Sequence, residues 1–571
     1  MPIHIGTLLP YTHMHGCTLF IYILYMISSL YVALPFVLIQ ALLHSLAKTH
    51  GSVSRPNGKM QWQTVSGGMS RIIGACAKLF FTAPFDARSG GFSLSFPDGT
   101  TVILFVDLNI FIQDGLAHKQ TWFCKGHSGN VRCLHCLYHV SAISQLAAAD
   151  VTGTLVDRVT DDTKLTFHTD DTVRYAVDQL ALGIAARGPE SMGELETRLG
   201  FVHDDGNLLL DPALRAIVRP ITQYMHDWMH VLVASGAFGV VAHKVMDTLR
   251  TSPRAIRYGP VHDYMKLWRW PQRLGGFHNS CVNAFDTKHE TSSRSASFFK
   301  CSASEAISLY PVLCVFLRQR CLAINAETTA ACEVFVAFCL VLDLLMICTR
   351  YTVRPGELRI AVRDFLDKFV ATFGWDSWIP KMHDMMHLPW ELFRFGMLLS
   401  CFVHERKHKI ATRYGTDVCN TRVYERTVMS ECTAHHLHSL RAADAFCFDV
   451  GLIAPKPASP KTQLFFNTHV GPCVVNVSFQ SRFDAFGTCA RGDIVLVRAD
   501  TTVAGEVWLH AECNGVPVSV ISTWDVVSHR NGYAIWRDIE RPELFQTCDI
   551  ITSVISFRSD GLVYTIMPPK S

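Results

Sequence analysis

The sequence predicts a mixed α/β chain with a long helical middle and an all-β module at its C-terminal end. Three observations predict it. Between residues 60 and 240, short alternating stretches such as "GFSLSF" lie among amphipathic ones such as "DTVRYAVDQLALGIAAR". From 241 to 375 the apolar residues recur at helical spacing over long runs. After "APKPASPKTQ" (Ala454 to Gln463), a Pro-rich stretch that reads as a linker, the pattern switches to period two.

The first 47 residues form an apolar helical segment, with no Asp, Glu, Lys or Arg before Lys48. The stretch Cys17 to Ile39 is long enough to cross a bilayer, yet no basic region precedes it as in a secretory signal. A core helix at the start of a truncated chain accounts for it equally well, and membrane association through 17–39 is the less favoured reading. Residues 49 to 61 are a Ser/Gly/Pro/Asn-rich loop. "MSRIIGACAKLFF" has helical spacing, "GFSLSF" alternates like a strand, "PDGT" is a turn, and "TVILFVDL" reads as the next, buried strand. In the helical middle, Ser302-x-x-Glu305 is a capping box. "ACEVFVAFCLVLDLLMIC" is apolar nearly all round and predicts a buried helix, and "GELRIAVRDFLDKFVATFG" is amphipathic and stops at a Gly. Helix resumes over 376–450. Residues 464–571, with "PCVVNVSF", "GDIVLVRA", "GEVWLHAE" and "VPVSVIST", predict a small SH3-like barrel. The tripeptide Arg491-Gly492-Asp493 reads as the turn before "IVLV" rather than an integrin-binding motif.

Of the 571 residues, 49% are hydrophobic and 18% charged, which excludes a disordered chain. The net charge of +3 means that any nucleic-acid surface must be a local basic patch. Twenty cysteines scattered over this length point to a reduced, intracellular setting with one metal cluster, not to a secreted disulfide framework.

Four constellations carry chemistry. In "CFVHERKHK" (Cys401 to Lys409), His404-Glu405-x-x-His408 is the zinc-protease helix signature. The third ligand is missing. The extended forms would need a glycine at position 411 and a histidine at 414, or a glutamate at 427; the chain has Ala411, Tyr414 and Thr427, and Glu425 and Glu431 are out of register. Arg406 and Lys407 would also place two cations beside a dication. The second is Cys133-x-x-Cys136, the bite of one edge of a zinc site, with Cys124, His127 and His139 as candidates to complete it. Asp114 precedes it at the end of an apolar strand, a position suited to a Mg²⁺ ligand. The third is Asp227-x-x-His230, two residues on one helix face that equally fit an N-cap. The fourth is "PKMHDMMHLPWELFRFG", where His383 and His387 share a face; as a ligand cluster it is weak.

The order of these blocks resembles that of CACTA-type, Plavaka-type and Kyakuja-type cut-and-paste DNA transposases, over roughly residues 60–445. The resemblance implies an RNase H-like core, with its first part at 60–240, an all-helical insertion at 241–375 and a closing part at 376–450. It implies that Asp114 is a catalytic Asp at a core strand end, that Asp227 is the catalytic Asp of the D-x-x-H signature with His230 in support, and that Glu405 is the closing catalytic carboxylate, supported by Arg406 and Lys407. In such chemistry Asp114 and Glu405 hold catalytic Mg²⁺ or Mn²⁺, and metal ions activate the attacking oxygen and stabilise the leaving one in DNA cleavage and strand transfer. Arg406, Lys407 and Lys409 then suit a DNA backbone. The structural zinc, if held, falls to Cys124, Cys133, Cys136 and His139. DNA is the implied partner, with a homo-oligomer as the assembly and the nucleus as the location. The resemblance departs at the family's first Asp: Asp86, Asp98 and Asp107 all lack a convincing first-strand setting. The expectation is a truncated or transposon-derived copy whose activity is doubtful. The alternatives are an H-E-x-x-H zinc metalloprotease and a non-enzymatic membrane-anchored interaction protein.

Overall fold

The computed structural model describes residues 68–82, 85–95, 99–129, 131, 133–137, 159–187, 192–272, 275–348, 353–402, 413–414, 424–441, 449–484, 487–530 and 533–566. The apolar stretch 17–39 lies outside them. The chain is mixed α/β with a curled antiparallel sheet at its C-terminal end. It divides into two compact units: one of residues 1–155, 166–224 and 402–445, the other of 156–165, 225–401 and 446–571.

In the first unit, helix Gly68–Phe81 presents Ser70, Ile72, Gly74 and Ala77 to the interior. Ser70 Oγ accepts from Leu208 N at 3.0 Å. A Cβ on Gly74 would meet Leu214 Cδ1 at 3.1 Å and Leu208 Cβ at 3.3 Å, so the absence of a side chain sets that approach. The short strand β1 (Phe85–Asp86) follows, and then β2 (Phe92–Ser95) and β3 (Thr101–Leu104) form the predicted hairpin. The expectation of a buried strand at "TVILFVDL" is corrected. β3 ends at Leu104, and Val102, Ile103 and Phe105 are exposed, because the hairpin pairs only with itself among the described residues. Strand β4 (Phe111–Gln113) then leads into helix Gly115–Trp122, and Phe111 N donates to Gln223 O at 2.6 Å beside β5 (Tyr224–His226). Helix Asp170–Arg187 forms as its amphipathic pattern predicts. Its first residue, Asp170, accepts from Ile221 N at 2.7 Å and Thr222 N at 3.0 Å.

The second unit holds the long helices. Ser302 and Glu305 close the capping box on helix Ala303–Arg320. Helix Ala326–Ile347 is long and apolar enough to span a membrane, and most of that window is buried inside the protein. It packs its aromatic rings with those of its neighbours: Phe238 lies 6.2 Å from Phe335, and Phe338 lies 5.0 Å from Phe365. Helix Pro355–Phe373 ends at Gly374, whose φ of 73° is a backbone state glycine adopts without steric cost.

The β module begins earlier than the switch to period two suggests. Strands β6 (Gly451–Ile453) and β7 (Lys456–Pro457) already belong to it, followed by β8 (Val475–Ser478), β9 (Gln480–Arg482), β10 (Thr488–Ala490), β11 (Ile494–Arg498), β12 (Thr502–Cys513), β13 (Val516–Arg530), β14 (Tyr533–Gln546), β15 (Ile550–Ser553), β16 (Ser556–Ser559) and β17 (Leu562–Ile566). The larger sheet runs β15-β11-β12-β13-β14-β17-β16, with β8 also on β12 and β7 on β8. Register shifts at Val507/Leu509, Thr523/Trp524 and Val526/Ser528 fall along its longest strands, where bulges bend a sheet. Strand β11 is buried on both faces: Ile494 and Leu496 enter one apolar cluster with Trp524 and Trp536, while Val495 and Val497 enter another with Val507 and Ile521. The Arg491-Gly492-Asp493 turn is a structural one. Asp493 is buried, accepting from Ala490 N and Gln272 N, both at 2.9 Å.

His510 sits inside this module, with Nδ1 2.8 Å from Ser519 Oγ and Nε2 3.6 Å from Cys489 Sγ. Burial lowers its pKa from the ordinary 6.5 to about 4. Between these values the unfolded chain carries the extra proton, so stability falls as pH drops from 6.5 to 4. The loss is complete below pH 4 and amounts to roughly 3 kcal/mol. Urea titrations across that range are expected to show this slope, and His510→Gln is expected to flatten it.

Candidate metal centre

The candidate site is built from local turns that the sequence dictates. In the first unit, Cys133 and Cys136 close a tight turn in which His135 N donates to Cys133 Sγ at 3.3 Å. That bond suits a sulfur carrying negative charge. A strap from Thr166 to His168 holds the turn: Leu137 N donates to Thr166 O, and His168 N to His135 O, both at 2.9 Å. Both cysteines are buried.

In the second unit, Pro380 opens helix Pro380–Met385, and His387 stands directly before the next helix, Leu388–Phe395, which has Pro389 at its start and Gly396 at its end. His383 and His387 are one turn apart, and their Nε2 atoms lie 3.1 Å from each other. The ring of His226, at the end of β5, stacks on His387 at a centroid distance of 5.6 Å. Glu391, one turn further and wholly buried, fixes His226 from below: Oε2 accepts from His226 N at 3.0 Å, and Oε1 lies 2.5 Å from Nδ1. Such a carboxylate–imidazole pair locks ring orientation and tautomer.

Cys133 and Cys136 are both buried, and so are His383 and His387. Thiols and imidazoles are the donors of structural zinc sites. A tetrahedral zinc needs ligand–ligand edges of about 3.3–3.8 Å, given bonds of about 2.0 Å to nitrogen and 2.3 Å to sulfur. The two imidazoles already approach that edge length. Buried Cys and His side chains such as these can bind a metal such as zinc.

Of the other expected zinc ligands, Cys124 bridges Phe201 through its backbone, and burial drives its thiol pKa well up. His139 lies outside the described residues. His383 and His387, read from the sequence as a weak ligand cluster on a shared face, are brought together in the structure with their Nε2 atoms adjacent.

Asp114 stands where expected, directly after β4, and caps helix Gly115–Trp122 with Oδ1 accepting from Ala117 N at 2.7 Å. Asp227 caps helix Trp228–Leu232 and is wholly buried as a side chain. Its Oδ1 accepts from Met229 N at 3.1 Å and Cys401 N at 3.0 Å, and Oδ2 meets His230 Nδ1. The D-x-x-H pair therefore anchors the backbone four residues ahead of Glu405. Lys381 ties the same helix to "PKMHDMMH", donating to His230 O at 2.6 Å and Ala234 O at 3.1 Å. Glu405, Arg406, Lys407, and the His404 and His408 of the protease reading lie outside the described residues.

No protein-family model, curated protein or solved structure matches this chain. The functional reading therefore rests on the site.

Proposed function

We propose that this chain is a zinc-stabilised protein derived from a DDE-type DNA transposase, with an RNase H-like core, a helical insertion and an SH3-like C-terminal module. One observation carries the reading. Asp114 stands at the end of strand β4, ahead of the buried turn of Cys133 and Cys136, in the block order that the resemblance implies. Asp114 supports the reading further, because its cap bond uses Oδ1 and leaves Oδ2 for a cation. Asp114 and Glu405 would hold Mg²⁺ or Mn²⁺, with DNA as partner and the nucleus as location. Asp227 and His230 act in this reading as positioning residues for the Glu405 segment, because both Asp227 oxygens are already hydrogen-bonded.

The test is a supercoiled plasmid incubated with the purified full chain and Mn²⁺, beside a gel-shift measurement on the same DNA. An active protein nicks the plasmid, and Asp114→Ala and Glu405→Gln each remove the nicking by a hundredfold or more while binding persists. Salt-sensitive binding without nicking identifies a relic that keeps the DNA surface. A chain that neither binds nor nicks, or that nicks as well after Glu405→Gln, contradicts the proposal.

A further inference from the structure

Three segments of the β module meet at the turn Arg491–Asp493. Arg491 N donates to Phe479 O and Gly492 N to Val507 O, both at 2.7 Å. The turn is therefore bonded to the residue before β9 on one side and to the residue before Trp508 on the other. Its carboxylate is turned inward: Asp493 is buried and accepts two backbone N–H groups. Its cation is exposed: the Arg491 guanidinium lies over the Phe479 ring, 5.9 Å from the centroid, and makes no ion pair among the described residues. A second guanidinium lies against the turn, since a Cβ on Gly492 would meet Arg269 Nη2 at 2.9 Å.

Both rings at this turn are open to solvent, Phe479 by 65% and Trp508 by 43%. A single exposed ring needs no explanation, but Trp508 is placed by a backbone device. Strand β12 pairs Val507 with Ile521 and Leu509 with Val520, so Trp508 is the extra residue of a β-bulge. Bulges re-aim side chains. Val507 and Leu509 on either side enter apolar clusters, while the indole between them is left in water. The exposed charge here is positive. Glu506, two residues before Trp508, is held by Arg558 at 2.8 Å and lies 3.9 Å from Arg269, which leaves the charge of Arg491 uncompensated.

We propose that Phe479, Arg491 and Trp508 form a stacking surface for single-stranded DNA. Unpaired bases stack on aromatic side chains whatever their sequence, because every base has a π-face. The guanidinium between the two chain segments supplies the matching charge for a phosphate. In a duplex the base faces are already covered by one another, so the two rings select an unpaired strand. The choice of DNA over RNA rests on the function proposed above. The stacking itself uses neither Asp114 nor Glu405 nor a metal.

The test titrates a fluorescein-labelled oligothymidylate with the purified full-length chain, without added Mn²⁺, and follows fluorescence anisotropy. Saturable binding is expected, and Phe479→Ala and Trp508→Ala are each expected to weaken it about tenfold. Arg491→Ala is expected to weaken it as well and to lower the slope of log affinity against log salt by about 0.7. Phe479→Tyr, which keeps a ring, is expected to bind like the parent, and Phe479→Leu, which keeps only apolar surface, is not. That pair decides the matter even if an alanine variant does not fold. Val474→Ala, at another exposed apolar residue of the module, is expected to change nothing. No saturable binding by the parent, or equal binding by the parent, Phe479→Ala and Trp508→Ala, would overturn the proposal. So would tighter binding of oligouridylate than of oligothymidylate. Nothing is cut in this assay, so a failed nicking experiment leaves its result standing, and its failure leaves nicking standing.

Discussion

His387→Ala loses bound zinc and unfolds far more readily than the parent chain. The purified parent is expected to carry about one zinc per chain; the variant is expected to carry less than a tenth of that. Removing one of two adjacent buried imidazoles leaves His383 without the nitrogen that lies 3.1 Å from its own. Loss of a structural metal is among the few single changes that exceed about 4–5 kcal/mol, and a decrease of roughly that size is expected here. Cys548→Ser, at an exposed cysteine, should keep both the metal and the stability. Metal content by plasma mass spectrometry, paired with urea unfolding, reads both effects on the same samples. A chelator should reproduce the variant's unfolding curve in the parent and leave the variant's unchanged.

Asp227→Ala is the second change expected to have a large effect. The carboxylate is wholly buried and meets three donors: Met229 N, Cys401 N and His230 Nδ1. Its removal takes away all three of these bonds inside the protein. Breaking a buried charged pair on one side costs about 3–5 kcal/mol, so urea unfolding should report a loss in that range. Asp227→Asn keeps an oxygen for the backbone amides and should cost less, by roughly half. Protease cleavage gives a more local reading. Because Asp227 fixes Cys401, the variant should be cut sooner within the segment that follows Cys401, before global unfolding sets in. If cleavage in both proteins begins at the same site and the same rate, Asp227 does not position that segment.

Much of the local fold was legible in the sequence, because local signals govern it. Ser302 and Glu305 cap a helix through bonds three residues apart, and Gly374 ends one through its own backbone freedom. The hairpin of β2 and β3 follows from alternation around a turn. The misreadings arise where partners are distant. "TVILFVDL" carries a strand's composition, but a side chain is buried only if another layer covers it, and none does so for Val102 and Ile103 among the described residues. The segment "APKPASPKTQ" has a linker's composition, yet Lys456–Pro457 pairs at a sheet edge and Ser459 caps helix Pro460–His469. Proline is tolerated in just such an edge strand.

The candidate centre shows the same division. Cys133 and Cys136 announce a metal edge by their spacing alone. His383 and His387 announce a shared face, and nothing local distinguishes two core histidines from two ligands. Asp227 was readable as a cap, and its bond to Cys401 was not, since 174 residues separate them. Chain-distant pairs of this kind are set by tertiary packing, which a single sequence does not display.

The central claim is that His383 and His387 hold a metal such as zinc. X-ray absorption at the zinc edge of the purified full-length chain tests it most directly. The account predicts stoichiometric zinc with nitrogen neighbours at about 2.0 Å, and loss of one nitrogen or of the metal in His383→Ala. A chain purified with no bound zinc that takes up none on titration would contradict the account, as would a zinc shell that is unchanged in His383→Ala.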